Sequence, residues 1–215
     1  MLGLPFDPQG DVDRWEGNRP HWAQAGAIVF ITMRTHDSIP KDVLARWDFE
    51  KLQWLWRHGI ECAKWWKGLE FANPTLRAEF AKEFHRTREM YLDTCQGACL
   101  LRKPELAQIV ASSLRHFDGV RYELGDFVVM PNHVHLLAVF SDNTTMKAQC
   151  TSWMKYTATA INRLFDRVGA FWQQEVFDHL VRHAEQYDAI RRYIATNPEK
   201  AKLSAGEYIY YRRPD

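Results

Sequence analysis

Tyr122 to Phe140 reads YELGDFVVMPNHVHLLAVF, two apolar runs separated by Pro131-Asn132. Proline presets the φ of a turn residue and asparagine bonds its own backbone, so the pair marks a tight reversal between two strands. One strand is expected from Tyr122 to Met130 and its partner from His133 to Phe140. Side chains two apart on a strand share a face. His133 and His135 therefore stand side by side on one face while Val134 points to the other.

Upstream of the hairpin, Lys103-Pro104-Glu105 opens a helix with proline near its first position, and Leu106, Ile109, Val110, Leu114 and Phe117 keep helical spacing up to Asp118-Gly119. Cys99-Leu100-Leu101 is expected as a short strand, and Ala27 to Met33, AIVFITM, as a buried one. Ser38-Ile39-Pro40 opens a helix to about Trp56, and Asn73-Pro74 breaks an aromatic-rich stretch from Lys64 to Tyr91 with a helix after it. Downstream, a helix is expected from Thr144 to Phe165 with Trp153, Tyr156, Thr157, Ile161 and Leu164 facing inward. An extended segment from Glu175 to Arg182 follows, then a helix from about Ala184 to Asn197, stopped by Pro198. This order predicts an α+β sandwich, one antiparallel sheet covered by helices. Residues 1–22, rich in Pro, Gly and Asp, read as a flexible arm, and 205–215 as a C-terminal tail. Between them, 23–204 read as one domain carrying a Trp-rich helical insertion at about 41–91.

With 215 residues, 46% hydrophobic, 13% aromatic and 26% charged, the composition excludes disordered and collagen-like classes. A net charge of +1 with neutral histidines supplies no bulk positive field, which taken alone argues against a nucleic-acid partner. Cys62, Cys95, Cys99 and Cys150 are spaced too irregularly for a metal knuckle and read as reduced. No basic start leads into an apolar run, and no stretch approaches about 18 apolar residues. A soluble, cytoplasmic protein with no membrane partner is expected.

Two imidazoles at the His133/His135 spacing can bind one divalent ion, although a bare His-x-His is as often structural. Histidine-triad nucleotide hydrolases need a third histidine two positions on, where this chain has Leu137. A metal would need a third ligand from elsewhere. Tyr193 and Asn197, four apart, stack on one face of the last helix, and Pro198 is expected to push Asn197 out of helical geometry and free its amide. A phenol beside a metal-binding amide suggests a tyrosine nucleophile, whose attack on a phosphodiester conserves the bond energy as a phosphotyrosine. The metal would stabilise charge developing on the phosphate.

MPNHVHLL (Met130–Leu137) and YIATNPEKAKL (Tyr193–Leu203), with SWMKYTATAINRLF and FWQQEVFDHLVR between them, resemble the single-tyrosine HUH transposases. The likeness is to the REP-associated tyrosine transposases of the IS200-like branch, and runs in order over roughly residues 20 to 204. It implies a ferredoxin-like α+β sandwich and a sequence- and hairpin-specific single-stranded DNA endonuclease and strand transferase. Such an enzyme acts on REP-like palindromes, the short repetitive extragenic hairpins, through a 5′-phosphotyrosine and a free 3′-OH. By position it assigns Tyr193 as nucleophile and His133, His135 and Asn197 as ligands of Mg2+ or Mn2+. It also implies DNA hairpins as partners, with a homodimer as one assembly found among relatives.

Lys155, Arg163, Arg167, Arg191 and Arg192 flank the proposed site on its two helices and are candidate phosphate contacts. Trp47, Trp54, Trp56, Trp65 and Trp66 either pack as helical core or stack on unpaired bases, and the core reading is favoured. His179 and His183 read as a polar edge rather than as phosphate contacts. The alternative function is a catalytically silent hairpin-binding protein, a repressor or structural module, expected to have lost one of His133, His135, Tyr193 or Asn197; all four are present.

Overall fold

The computed structural model describes residues 1–16 and 20–214. Strands β1 (Asp13–Glu16) and β2 (Pro20–Ala23) form a small ribbon, and β3 (Ile28–Arg34) enters the main sheet. Helices α1 (Lys41–Arg57), α2 (Trp65–Gly68), α3 (Pro74–Asp93) and α4 (Pro104–Arg115) follow. The hairpin β4 (Tyr122–Val129) and β5 (His133–Phe140) leads into α5 (Asn143–Leu164), β6 (Phe177–Leu180), α6 (Ala184–Lys200) and β7 (Ile209–Tyr211).

The main sheet runs β6-β3-β5-β4-β7, with every pair antiparallel. Without the edge strand β7 this is β-α-β-β-α-β with the first and third strands central, a ferredoxin-like sandwich. Val134, Leu136 and Ala138 of β5 pack with Val29 and Ile31 of β3, with Leu106, Val110 and Leu114 of α4, and with Met146, Trp153 and Ile161 of α5. The opposite face, Phe30, Val128 and Leu137, packs with Tyr187 and Ile194 of α6. Helices thus cover both faces, and the period-2 alternation of β5 places His133 and His135 on the α6 side.

Buried polar handles lock the first layer. Tyr122 Oη donates to Leu114 O (2.6 Å), Trp153 Nε1 donates to Tyr122 Oη (3.3 Å), and Trp172 Nε1 donates to Thr157 Oγ1 (2.8 Å). Met130 N donates to His133 O (2.8 Å) and closes the hairpin turn, whose Pro131 and Asn132 carbonyls accept from Leu101 N (3.0 Å) and Thr35 N (2.8 Å). α1, α2 and α3 build their own apolar clusters, Ile39, Val43, Trp47 and Leu92 in one and Trp54, Leu55 and Phe80 in the other. Asn73 caps α3 by accepting from Leu76 N (2.9 Å), with Pro74 at the first turn.

Several expectations are corrected. Cys99–Leu101 is no strand: Leu100–Arg102 form a 3-10 turn entered through Cys99 at φ +49°. Tyr156 and Leu164 are exposed, because only one stripe of α5, through Trp153, Thr157 and Ile161, reaches the sheet. Pro198 does not stop α6, which continues to Lys200. In the last turn a proline removes a single hydrogen bond, and both its ring and Asn197 are buried.

The first residues are not a loose arm where described. Leu4 N donates to Gly26 O (3.0 Å), Ile28 N to Leu4 O (2.9 Å) and Phe6 N to Val181 O (2.7 Å). His21 on β2, 4% exposed, hydrogen-bonds Asp178 of β6 and lies 3.7 Å from Glu175. The tail becomes β7, with Tyr211 stacked on Phe127. Gly17–Arg19 of the arm and Asp215 of the tail lie outside the described residues.

Candidate nuclease site

His133 and His135 are fully buried, with ring centroids 4.6 Å apart. Each is oriented through Nδ1. His133 Nδ1 donates to Asn132 Oδ1 (2.7 Å), and that amide is itself fixed because Asn132 Nδ2 donates to Gln96 O (2.9 Å). A proton on Nδ1 leaves the lone pair on Nε2, the form in which imidazole binds a cation. His135 lies opposite Thr32 on β3, and its Nδ1 is 2.9 Å from Thr32 Oγ1. A proton there makes the hydroxyl the acceptor and leaves His135 Nε2 as an acceptor too. Phe30 stacks on the His135 ring at 5.2 Å.

α6 completes the arrangement. Tyr193 Oη is 3.1 Å from His135 Nε2, and the edge of Phe30 braces the phenol ring. Lys200 Nζ lies 4.8 Å from the centre of the Tyr193 ring. One helical turn after Tyr193, Asn197 is fully buried and donates from Nδ2 to Asp93 Oδ1 (3.1 Å), while its Oδ1 has no hydrogen-bond partner among the described residues. An unsatisfied buried amide oxygen is costly unless something else supplies positive charge, and it is the hard donor that Mg2+ or Mn2+ prefers. Among the described residues no group of three or more His, Cys, Asp and Glu side chains could hold a metal ion. The candidate donor set is mixed, two imidazoles and an amide. Regular helix, rather than a kink before Pro198, keeps that amide in place.

The predicted phosphate contacts are scattered. Arg191 is engaged in an ion pair, its Nε 3.0 Å from Oδ2 of buried Asp126 on β4, with Arg213 N donating to the same carboxylate (3.0 Å). A shift of register between Leu124 and Phe127 presents Asp126 to α6. Arg192 is exposed on α6. Lys155 and Arg163 are exposed on α5, which packs on the face of the sheet opposite the histidines. Arg167 is exposed beyond α5, and Asp37 feels its charge. Trp47 and Trp54 are core, Trp65 is half-buried, and Trp56 and Trp66 are exposed.

His183 caps α6 by accepting from Gln186 N, and His179 is half-buried against Gln186 Nε2 (2.7 Å). Burial lowers the pKa of His179, with the charge of Arg182 adding to it. The four cysteines are free; burial raises the pKa of Cys95 to about 11 and raises those of Cys99 and Cys150, which makes them poor nucleophiles. Among the described residues no helix is long and apolar enough to cross a membrane.

Thr32, Asp93, Gln96 and Asp126 carry no local signal of a role. Asn132 was visible, but as a turn residue rather than as the partner of His133. Asp93 stands 104 residues from Asn197, and contacts at that separation exist only after folding.

No curated protein matches the chain. A solved structure of the REP-associated tyrosine transposase bound to a REP hairpin aligns over 84% of this chain and 72% of its own, with 15% identity and a TM-score of 0.43. Residues 102–197 match the family model described as transposase, IS200 like. That span runs from the entry to α4 through β4, β5, α5 and β6 to Asn197, so His133, His135, Tyr193 and Asn197 fall inside it. Over residues 102–197, a little under half of its length, the chain is similar to the IS200-like transposase family.

Proposed function

We propose that this protein cleaves and rejoins single-stranded DNA beside a hairpin, with Tyr193 as the nucleophile. The observation that carries the reading is the contact of 3.1 Å between Tyr193 Oη and His135 Nε2, with His133 beside it on the strand and Asn197 one turn on along the helix. In the reaction a bond forms between Tyr193 Oη and phosphorus, the P–O3′ bond breaks, and the phenolic proton leaves to solvent. The freed 3′ oxygen takes up a proton, which leaves a 3′-OH and a 5′-phosphotyrosine. Reversal of the same step on a new 3′-OH joins strands.

His133 and His135 through their Nε2 atoms, and Asn197 through its Oδ1, would hold Mg2+ or Mn2+. When bound, such an ion would supply positive charge for the non-bridging phosphate oxygens. Phe30 and the sheet beneath hold Tyr193 against the histidines. Among the predicted cations, exposed Arg192 is the one on the tyrosine helix suited to a phosphate. The solved relative is bound to a REP hairpin, and a hairpin of that kind is the partner proposed here. With a net charge of only +1, affinity should draw on hairpin shape and stacking, with a shallow salt dependence.

The test is a labelled single-stranded oligonucleotide carrying a short palindrome, incubated with the protein and Mn2+ and resolved on a denaturing gel. A covalent adduct is expected, to be lost in Tyr193→Phe while hairpin binding persists. An adduct that survives Tyr193→Phe would overturn the assignment, and a wild-type chain that binds the hairpin without cleaving it would favour the silent binding module.

A further inference from the structure

We propose that the end of α3 and the turn after it, Asp93 to Gln96, are a positioning strut that orients two of the three candidate metal-binding groups. The inference rests on the metal reading above and adds residues from outside the histidine strand and the tyrosine helix. Two observations converge on this short segment. Asp93 Oδ1 accepts from Asn197 Nδ2 (3.1 Å), and Gln96 O accepts from Asn132 Nδ2 (2.9 Å), whose Oδ1 in turn accepts from His133 Nδ1 (2.7 Å).

Both bonds act on amides, and an amide can present either of two edges. A carboxylate oxygen at Asn197 Nδ2 holds the donor edge toward Asp93 and leaves Oδ1 as the edge for a cation. Without Asp93, the amide can rotate and offer N–H groups instead, which repel a cation. Gln96 O does the same for Asn132. It accepts from Nδ2, so Oδ1 faces His133, the ring proton stays on Nδ1 and the lone pair stays on Nε2.

The segment is itself held rigidly. Cys95, at φ +51°, and Gly97, at φ +90°, occupy the left-handed region that favours glycine. A Cβ on Gly97 would lie 2.6 Å from Asp37 O, so the turn is pressed against the loop that follows β3. The Asp37 carboxylate accepts from Ala98 N (2.7 Å), and Leu92, just before Asp93, is fully buried. The helical insertion is thereby coupled to the site: the residues that follow it directly, Asp93 and Gln96, reach α6 and the hairpin turn.

The experiment is Mn2+ titration of the full-length protein, by calorimetry and by electron paramagnetic resonance of the bound ion, with no DNA present. Asp93→Ala is expected to weaken Mn2+ binding about 10- to 100-fold. Asp93→Asn, which keeps an acceptor oxygen in the same place, should restore most of the affinity, a rescue that loss of packing alone would not give. Asp93→Leu keeps the side-chain volume and stands in if the alanine variant fails to fold. In a double mutant with Asn197→Ala, loss of Asp93 should add nothing further. Wild-type affinity in Asp93→Ala and Asp93→Leu, with weakened binding in Asn197→Ala, would overturn the strut and leave the metal site standing. A wild-type chain that binds no Mn2+ would overturn the metal site and the strut together.

Discussion

Replacing Arg191 by alanine should damage the fold rather than DNA contact, although its place on the tyrosine helix makes it look like a phosphate-binding residue. The carboxylate of Asp126 is 3% exposed and takes the Arg191 guanidinium at Nε (3.0 Å) and Nη2 (3.3 Å). Removing one partner of a buried pair strands the other charge, at about 3–5 kcal/mol. Two features reduce that figure here. The Arg191 side chain is 21% exposed, so solvent screens part of the pairing, and Arg213 N still donates to Asp126. A loss of about 2–4 kcal/mol remains. For a chain of this size about 1 kcal/mol corresponds to about 2–4 °C in Tm, so the variant should melt roughly 4–16 °C lower. Urea denaturation followed by tryptophan fluorescence measures the same loss as a shift in midpoint of about 1–2 M, taking a slope near 2 kcal/mol per M. Replacing the pair together, as Asp126→Leu with Arg191→Met, should recover most of the stability because neither charge is left stranded. In hairpin-binding titrations Arg191→Ala should keep the wild-type salt slope, whereas Arg192→Ala should lower it by about one unit. An Arg191→Ala protein within about 0.5 kcal/mol of wild type and with a reduced salt slope would refute the structural role.

Burial works against a charge on His21, but the hydrogen bond and charge of Asp178, helped by Glu175, outweigh it and hold the imidazole above its ordinary 6.5. Protonation therefore favours the folded state: the contribution is complete below pH 6.5 and is lost as pH rises through the raised value. Thermal melts across pH 6 to 8 should show stability falling with pH, and His21→Gln should flatten that part of the profile; an unchanged profile would contradict it. Tyr193→Phe should bind Mn2+ more tightly, because the phenol and a cation compete for His135 Nε2. Freeing that nitrogen from one hydrogen bond of about 0.5–1.5 kcal/mol predicts about 2- to 13-fold tighter binding by calorimetry, and equal or weaker binding would refute the competition.

The pattern-bearing parts of the fold were legible before folding because their signals are local. Period-2 alternation in His133–Phe140 and the Pro131-Asn132 reversal located the hairpin, and helical spacing located α4 and α6 to within a few residues. The errors lie where packing outweighs local preference. Pro198 disfavours helix, yet its burial with Asn197 carries α6 on to Lys200. Residues 1–22 and 205–215 lack periodicity and read as loose, but the strand edges beside Gly26 and Phe127 offered backbone partners that their sequences do not announce.

Residue identity and spacing along the chain determined the sheet-and-helix order, the shared face of His133 and His135, and the pairing of Tyr193 with Asn197 on one helical face. These follow from strand and helix periods that every chain obeys. Tertiary structure decided which face α6 covers, and so that Tyr193 meets His135. It also decided that Arg191 serves Asp126, and that Asp93 reaches Asn197 across 104 residues. Contacts of that kind depend on the register and crossing of whole elements, and burial then sets the strength of each pairing by removing the water that would compete for it.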